Sequence, residues 1–331
     1  MNQRPSLAIL GTGVYLPPSH TVRDIVTAAG QDPSGHQGWE RCCHARPEDH
    51  PSNMGATALQ QAIDMAGIDA SELKLVIFAG MSRDYLPSWS VATEIMSSCG
   101  AGGHCIGLDM TVGCLGALSA LDMAQAWLAG HGGGLAAVVV AERWTYTVDY
   151  TSMANMGLWG HSDGAAAAVV GHKTEHQAKA YFAGAEFVSQ SDLNGTVLIQ
   201  YGGTRYPTAP DGVTPFERKL VGLDRHDLRQ RYSDGYRHSL TAIQDQFDLD
   251  PKKVIINQTS TLFLHLIAAV IDIPIENFVL TGHDTGHVGS ADIVIGLDRV
   301  LRSADGVNEP YLIMGSTPYA FGAGLVTAAQ S

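Results

Sequence analysis

The sequence predicts an α/β protein made of two similar halves related by a pseudo-dyad. Apolar strand-like runs alternate with helix-like runs along the chain, which is typical of βαβ units and of a largely parallel sheet buried on both faces. Four segments of the first half recur in the second half in the same order. The chain has 331 residues, 45% of them hydrophobic, which is enough to bury two such units.

The first two repeated pairs are a strand and a turn. Residues 73–82 (LKLVIFAGMS) and 252–260 (KKVIINQTS) are apolar runs that end in small and polar residues. Further along, GCLG around Cys114 and GHVG around His287 each precede a helix-like run. The two glycine turns therefore occupy equivalent positions in the two halves.

The last two pairs are buried strands. Residues 135–144 correspond to 310–319, and each run is followed by a glycine-containing segment that ends in a second apolar strand. These closing segments are residues 160–171 and 320–330. Four correspondences in the same order favour a duplication over a chance likeness of Gly- and Val-rich segments.

The duplication brings a nucleophile and a base together. Residues 1–172 form the predicted N-terminal half, and residues 173–331 the C-terminal half. A pseudo-dyad between them places Cys114 and His287 face to face at the centre. A thiol at a helix N-terminus is activated by the helix dipole, and an imidazole beside it completes a nucleophile–base pair. We therefore predict Cys114 as the nucleophile and His287 as its base.

Composition limits the setting and the partners. A net charge of −13 argues against nucleic acid as a partner. Five cysteines without framework spacing indicate a reducing, cytoplasmic compartment. No stretch approaches the roughly 20 apolar residues of a membrane helix. Adjacent Cys42 and Cys43 do not readily offer both sulfurs to one tetrahedral ion, so we predict no metal site.

A short hydrolase-like motif offers a competing nucleophile. Residues 160–164 read GHSDG, which matches the G-x-S-x-G elbow with Ser162 at its centre. That elbow needs a helix after the serine, whereas the AAAAVVG that follows reads as a closing strand. We therefore expect the match to be accidental; a Ser162 hydrolase would instead be labelled by fluorophosphonates.

Five longer motifs are similar to those of one known family. They are ILGTGVYLP near the N-terminus, NMGATALQQAIDMAGID, LDMTVGCLGALSAL around Cys114, WGHSDGAAAAVVG, and AFGAGLVT near the C-terminus. Together they resemble the ketoacyl-ACP synthase III family over nearly the whole chain. The resemblance implies the five-layered αβαβα thiolase-like fold, a homodimer, and no tightly bound cofactor. It also implies that the acyl donor is a thioester of coenzyme A or of acyl carrier protein phosphopantetheine.

One departure from the family pattern changes the chemistry. The family histidine ends a second-half strand in His-Gln-Ala-Asn, and its asparagine follows a glycine in Gly-Asn-Thr-Ser. Here the matching segments begin at Asn257 and at the glycine before His287, so the two residue types have traded places. The family pair donates hydrogen bonds to a decarboxylating malonyl thioester. In this sequence His287 can instead act as general base towards an alcohol, amine or thiol, and Asn257 would orient its imidazole ring.

The exchange resembles the ketosynthase-III-like acyltransferases of antibiotic and polyketide pathways, of the type that forms malonyl esters in cervimycin biosynthesis. We therefore predict an acyltransferase that passes an acyl group through a Cys114 thioester without decarboxylation. The resemblance implies an oxyanion site at the backbone N–H groups of Cys114 and Thr317. It also implies that Leu86 closes the partner's pocket in a homodimer. The alternatives are a decarboxylating condensing enzyme and a catalytically silent partner subunit.

Basic residues are concentrated in one segment of this acidic chain. Six of its 20 Lys and Arg residues fall between positions 218 and 237. This cluster either docks an acidic carrier protein or the phosphates of coenzyme A, or forms a solvated helix face partly balanced by neighbouring aspartates. Its members are Arg218, Lys219, Arg225, Arg229, Arg231 and Arg237, of which the first four are our docking candidates.

Overall fold

The computed structural model describes residues 6–86, 88–213, 218–220 and 224–329. The strands are β1 Leu7–Tyr15, β2 Ser19–Thr21, β3 Arg41–Cys43, β4 Leu73–Phe78, β5 Ile106–Asp109, β6 Gly134–Arg143, β7 Asp163–His172, β8 Ala180–Ser189, β9 Val197–Ile199, β10 Arg218–Leu220, β11 Lys253–Ile256, β12 Tyr311–Thr317 and β13 Ala320–Ala328. The α-helices are α1 Val22–Ala28, α2 Pro51–Ala66, α3 Val91–Cys99, α4 Gly116–Gly130, α5 Arg225–Phe247, α6 Thr261–Ile271, α7 Gly282–Thr285 and α8 Ala291–Leu301.

Nine strands form one sheet in which the two halves mirror each other. Their order is β5-β4-β6-β7-β1-β8-β13-β12-β11. Strands β4 and β6 pair in parallel, as do β11 and β12, whereas β7 and β13 run antiparallel to their neighbours. At one edge of the sheet, β5 pairs in parallel with β4. At the opposite edge, Phe278 forms a parallel bridge to Val254 of β11 and so takes the position in the second half that β5 has in the first. The structure therefore contains the duplication that the sequence predicts.

Helices and strands pack in five layers around three large buried clusters. Helices α2 and α3 cover the strands of the first half, and α5 and α6 cover those of the second half. Helices α4 and α8 lie between the halves, within the largest cluster. The predicted αβαβα order is confirmed. No helix within the described ranges combines the length and apolarity that spanning a membrane requires.

The central layer is close-packed because the sequence places small residues there. A Cβ on Gly116, at the start of α4, would lie 2.0 Å from the carbonyl oxygen of Ala79, just after β4. Helix α8 is buried from Ala291 to Leu297, because both of its sides face protein. Strands β6 and β7 are likewise near-continuous apolar runs, as expected for strands covered on both faces. This packing fixes the start of α4 and the start of α8 relative to each other.

Candidate active site

The glycine turns of the two halves meet where α4 and α8 begin. Cys114 Sγ lies 3.6 Å from His287 Nε2. Both turns need the conformational freedom of glycine, because Gly113 and Gly286 have positive φ angles of 55° and 67°. A Cβ on Gly286 would also lie 2.4 Å from Ser162 Oγ. The structure thus brings together the two side chains that the duplication pairs.

Asp292, in the first turn of α8, holds the imidazole of His287. Its Oδ2 lies 2.5 Å from His287 Nδ1. The carboxylate is fully buried and accepts hydrogen bonds from the backbone N–H groups of Gln258 at 2.7 Å and Val288 at 2.8 Å. Asp292 therefore occupies the orienting position that the sequence interpretation gave to Asn257.

Asn257 holds the backbone around the site instead of the imidazole. Its Nδ2 donates to the carbonyl oxygen of Cys114 at 3.1 Å and to that of Gly289 at 3.0 Å. A carbonyl oxygen can only accept, so each of these two contacts uses one N–H of the Asn257 amide, and both N–H groups are used. Its Oδ1 is buried without a hydrogen-bond partner among the described residues and lies against Gly315. Asn257 ties the two glycine turns together and keeps no N–H for a substrate.

His287 is held in its charged form. Burial acts to lower the pKa of the imidazole, but the charge and hydrogen bond of Asp292, together with Cys114, act more strongly and raise that pKa to about 10. The resting pair is therefore an imidazolium beside the Cys114 sulfur.

Cys114 and His287 line a cavity of about 530 Å³. Such a volume lies within the range of about 300–1,000 Å³ that is usual for small-molecule sites. Thr317, at the end of β12, lines the same cavity and packs against Gly113. Its role as an oxyanion donor stays a prediction. Apolar and aromatic walls come from Leu158, Val197, Ile199, Tyr232 and Phe263.

Arg218 lies inside this cavity, which corrects its assignment to a surface docking patch. Its residue surface is only 9% exposed. The guanidinium donates from Nη1 to His161 Nδ1 and from Nη2 to Thr147 Oγ1, both at 2.7 Å, and lies over the Trp144 ring at 4.1 Å. Arg218 reaches the cavity because its strand, β10, pairs with β9, and β9 borders the cavity.

The other docking candidates differ in their surroundings. Lys219 is half-buried, and its Nζ donates to Gln200 Oε1 at 3.2 Å. Arg229 is exposed on α5. The side chain of Arg225 lies outside the part of the chain that the structure describes. The prediction that a carrier docks on this face therefore rests chiefly on the exposed residues of α5.

His161 is a cavity residue that the sequence interpretation did not single out. Its ring lies 4.9 Å from that of His287 and 5.1 Å from that of Trp144. Burial, and then the charges of Arg218 and His287, hold the pKa of His161 well below its usual range. Because arginine can only donate, Nδ1 accepts and the proton of neutral His161 is on Nε2. The GHSDG motif contained this residue but drew attention only to its serine.

Glu142, at the end of β6, fixes one wall of the cavity. The buried carboxylate accepts from the backbone N–H groups of Met81 at 2.9 Å and Ser82 at 3.1 Å, and also from Trp144 Nε1. Burial raises the pKa of Glu142, and these hydrogen bonds act against that shift. The carboxylate therefore positions the Met81–Ser82 segment and the Trp144 ring.

Ser162 does not have the surroundings of a hydrolase nucleophile. It is fully buried, and its Oγ accepts a hydrogen bond from the backbone N–H of Cys43 at 2.9 Å. The next element is strand β7, as the sequence predicts, and not the helix that an elbow requires. Burial raises the pKa of Cys42 to about 12 and that of Cys43 to about 11, so both remain thiols.

Leu86 is 66% exposed and does not line the cavity of its own chain. Exposed apolar side chains also occur on the edge strand β5, at Ile106 and Leu108. A row of unpaired backbone groups with apolar side chains at a sheet edge favours association with another chain. The homodimer, with Leu86 at the partner's pocket, stays a prediction.

Two family models match the chain. The model for 3-oxoacyl-[acyl-carrier-protein] synthase III matches residues 108–190, and the model for its C-terminal region matches residues 247–331. The β-ketoacyl-[acyl-carrier-protein] synthase III of Paracoccus denitrificans is 26% identical over 313 residues, which are 91% of this chain and 92% of the relative. The enzyme of the same name from Neisseria meningitidis serogroup C is 24% identical over 301 residues, 89% of this chain and 90% of the relative.

Solved structures share the fold over almost the whole chain. Cerulenin-bound OleA from Xanthomonas campestris has a TM-score of 0.82 at 17% identity, covering 97% of this chain and 96% of OleA. A priming β-ketosynthase from a polyketide biosynthetic pathway has a TM-score of 0.83 at 21% identity, covering 100% of this chain and 99% of the other. The 3-oxoacyl-[acyl-carrier-protein] synthase III from Aquifex aeolicus has a TM-score of 0.80 at 21% identity, covering 97% and 99%.

Proposed function

The chain belongs to the 3-oxoacyl-[acyl-carrier-protein] synthase III family, and within that family we propose that it transfers acyl groups to a heteroatom without decarboxylation. The donor is a thioester of coenzyme A or of an acyl carrier protein, the substrate type of this family. Cys114 carries the acyl group, and the acceptor is an alcohol, an amine or a thiol. No tightly bound cofactor takes part.

The hydrogen bonding of Asn257 is the observation that carries this proposal. A decarboxylating condensation requires donors aimed at the malonyl thioester oxygen, where enolate charge develops. Both N–H bonds of Asn257 are committed to the carbonyl oxygens of Cys114 and Gly289. His287, in contrast, is hydrogen-bonded to Asp292, which is how a general base is held in cysteine and serine acyl-transfer enzymes.

The first step forms the acyl-enzyme. The Cys114 thiolate attacks the thioester carbonyl, and the backbone N–H groups of Cys114 and Thr317 bind the oxyanion in our scheme. The carbon–sulfur bond to the carrier then breaks. The imidazolium of His287 gives its Nε2 proton to the departing carrier thiolate, so that the carrier leaves as a thiol and His287 becomes neutral.

The second step uses that neutral imidazole. His287 has already given its Nε2 proton to the departing carrier, and acylation of Cys114 removes the smaller of the two influences that raise its pKa, Asp292 being the larger. The imidazole therefore becomes available as a base. The acceptor attacks the acyl carbon, its proton moves to Nε2, and the bond to Cys114 breaks. The thiolate–imidazolium pair is restored, with Asp292 stabilising the positive charge.

A role in secondary metabolism and a homodimer complete the proposal. The exchange of histidine and asparagine is similar to the cervimycin-type acyltransferases, and a priming β-ketosynthase of a polyketide pathway shares the fold. We infer from the same comparison a cytoplasmic enzyme of antibiotic or polyketide biosynthesis. Exposed Leu86 and β5 support association of two copies, which sedimentation equilibrium would measure.

The proposal is tested by intact-protein mass spectrometry with peptide mapping after incubation with malonyl and acetyl thioesters. We expect an adduct on Cys114 that retains its carboxylate when malonyl is the donor. The adduct should be absent from Cys114→Ala and present in the matched control Cys105→Ala. In His287→Ala, any adduct should persist when an acceptor nucleophile is added.

The family membership favours one second candidate, the decarboxylating condensing enzyme. Release of labelled carbon dioxide from the malonyl donor, together with a ketone product, would replace the proposed function with this one. Absence of any adduct would instead favour the catalytically silent subunit. The retained contact of Cys114 with His287, and of His287 with Asp292, supports an active site.

A further inference from the structure

Arg218 is a buried positive charge in the cavity, and the described residues give it no hydrogen-bonded or ion-paired carboxylate. Arg218 donates to His161 and to Thr147, which are both uncharged groups, and its third close neighbour is the Trp144 ring. Among the described residues, no carboxylate lies within ion-pair distance of the guanidinium. Burying an unpaired charge is costly, so such groups in native proteins usually serve a ligand.

The buried acid Glu142 acts on Arg218 only at long range. Glu142 is hydrogen-bonded to Met81, Ser82 and Trp144, and its carboxylate is committed to that wall of the cavity. Burial lowers the pKa of Arg218 to about 10, with Cys114 and Glu142 acting in the opposite direction. The guanidinium therefore keeps its charge at neutral pH.

The guanidinium is also close to the reacting atoms. His161, which accepts from Arg218 at 2.7 Å, has its ring 4.9 Å from the ring of His287. His287 in turn lies 3.6 Å from Cys114 Sγ. Arg218, His161, His287 and Cys114 all line the same cavity. An anion bound by Arg218 therefore shares this cavity with the acyl group carried by Cys114.

We propose that Arg218 binds the free carboxylate of the acyl group, so that the donors are half-thioesters of short dicarboxylic acids. The inference rests on the proposed acyl transfer through Cys114. Within the described ranges, two of the five N–H bonds of Arg218 are used, by His161 and Thr147, and the other three are open to a ligand. A carboxylate is the small planar anion that a guanidinium binds best, through two parallel hydrogen bonds.

This ion pair also acts against the loss of carbon dioxide. Decarboxylation moves the negative charge of the carboxylate to the enolate oxygen. Arg218 stabilises the charge on the carboxylate, and Asn257 has no free N–H for the enolate. The same arrangement therefore selects a dicarboxylic acyl group and keeps it intact during transfer.

The test measures the acylation half-reaction alone, by rapid quench and intact mass of the full-length protein, so that no acceptor is involved. Malonyl- and succinyl-coenzyme A are compared with acetyl- and butyryl-coenzyme A and with the methyl ester of malonyl-coenzyme A. We expect the two free acids to acylate Cys114 at least about 100-fold faster than the uncharged donors, because an uncharged donor leaves the buried guanidinium unpaired.

Variants then assign the preference to one side chain. Arg218→Met should abolish the preference by slowing the free acids about 100-fold more than it slows acetyl transfer, and Arg218→Lys should retain part of it. Arg23→Met, an exposed arginine on α1, is the matched control and should behave as wild type. Circular dichroism establishes whether each variant folds, and the donor preference of the wild type stands as a test without any variant.

Three results would overturn the inference. The first is equal acylation by charged and uncharged donors in the wild type. The second is an equal slowing of all donors by Arg218→Met, which would give Arg218 only the role of positioning His161. In both cases the proposed function survives, because Cys114 is acylated. The third result, no adduct on Cys114 from either class of donor, would overturn the proposed function as well.

Discussion

Asp292 Oδ2 lies 2.5 Å from Nδ1 of His287, and both side chains are buried between the two halves of the protein. The carboxylate also accepts two backbone N–H bonds, from Gln258 and Val288, so it cannot turn away from the imidazole without leaving donors unpaired. The contact fixes the ring, directs Nε2 to Cys114, and determines how the site responds to mutation and to pH.

Asp292→Asn should lower kcat by about 10,000-fold, the loss seen when the acid of a catalytic triad is made neutral. The amide can favour the wrong tautomer of His287 and no longer stabilises the imidazolium. KM for the donor should change little, because Asp292 does not line the cavity. Steady-state kinetics with a small thioester donor would measure both parameters.

Asp298→Asn is the matched control, because Asp298 lies on the same helix but bonds Thr12 and Arg302. It should retain nearly full turnover. Equal loss of kcat in the two variants would mean that the helix, and not the contact with His287, is responsible.

The His287 contribution to the unfolding free energy should fall as the pH rises from about 6.5 to about 10, because the pKa of His287 is raised from 6.5 to about 10 in the folded protein. In this window folded His287 holds a proton that the unfolded side chain has lost, so its contribution favours unfolding at each step to higher pH. The contribution is complete below pH 6.5 and is lost as the pH passes through the folded-state pKa.

Urea unfolding at a series of pH values would measure this slope. Asp292→Asn removes the main cause of the raised pKa, so its slope over the same window should be flatter than that of the wild type. A wild-type protein whose stability rose across this window would show that His287 is neutral in the folded state.

Asn257→Ala should act mainly on stability and on the position of Cys114. The substitution removes hydrogen bonds to the carbonyl oxygens of Cys114 and Gly289, with an expected loss of about 1–3 kcal/mol in unfolding free energy. Thermal or urea unfolding would measure it, with the half-buried Asn277→Ala as the control.

The pH profile of turnover separates this role from a catalytic one. Because Asn257 does not touch the imidazole, Asn257→Ala should leave the profile in place, whereas Asp292→Asn should move it to lower pH. A shift of equal size in Asn257→Ala would support the relay that the sequence interpretation suggested.

The fold and the Cys114–His287 pair were predictable because both depend on local patterns. Each glycine turn is marked by its neighbours, and the duplication relates the two turns without any knowledge of distances. Asp292 was also within reach of the sequence, since an aspartate five residues after His287 falls in the first turn of the helix that follows the turn. The sequence interpretation assigned the orienting role to Asn257 instead, because the family has an asparagine in its active site.

Arg218 could not be located from the sequence in the same way. Charge clustering identifies a basic segment but does not say which side chains face inward. Arg218 precedes α5 and belongs to the short strand β10, whose pairing with Ile199 of β9 brings it beside the cavity. Contacts of this kind depend on the packing of distant segments, and no local pattern records them.

Ser162→Ala should leave acyl transfer unchanged and lower stability by about 1 kcal/mol, because the hydroxyl only accepts a hydrogen bond from Cys43. Fluorophosphonate probes should not label the wild type, since the hydroxyl is fully buried. Mass spectrometry of the treated protein checks the labelling, and urea unfolding checks the stability. Modification of Ser162 would return the hydrolase hypothesis to consideration.

Arg229→Glu should raise KM for a donor bound to an acyl carrier protein, while KM for the same acyl group on a pantetheine arm stays unchanged. Arg229 is exposed on α5, in the basic segment of an otherwise acidic chain, and carrier proteins of this type are acidic partners. The wild-type KM for the carrier should increase with salt, because screening weakens contacts between exposed charges. The variant should lose most of that salt dependence.

Arg23→Glu, on α1, carries the same change of charge and should leave the KM for the carrier as it is. If both reversals raised it equally, the net charge of the protein, and not a docking face on α5, would govern the encounter.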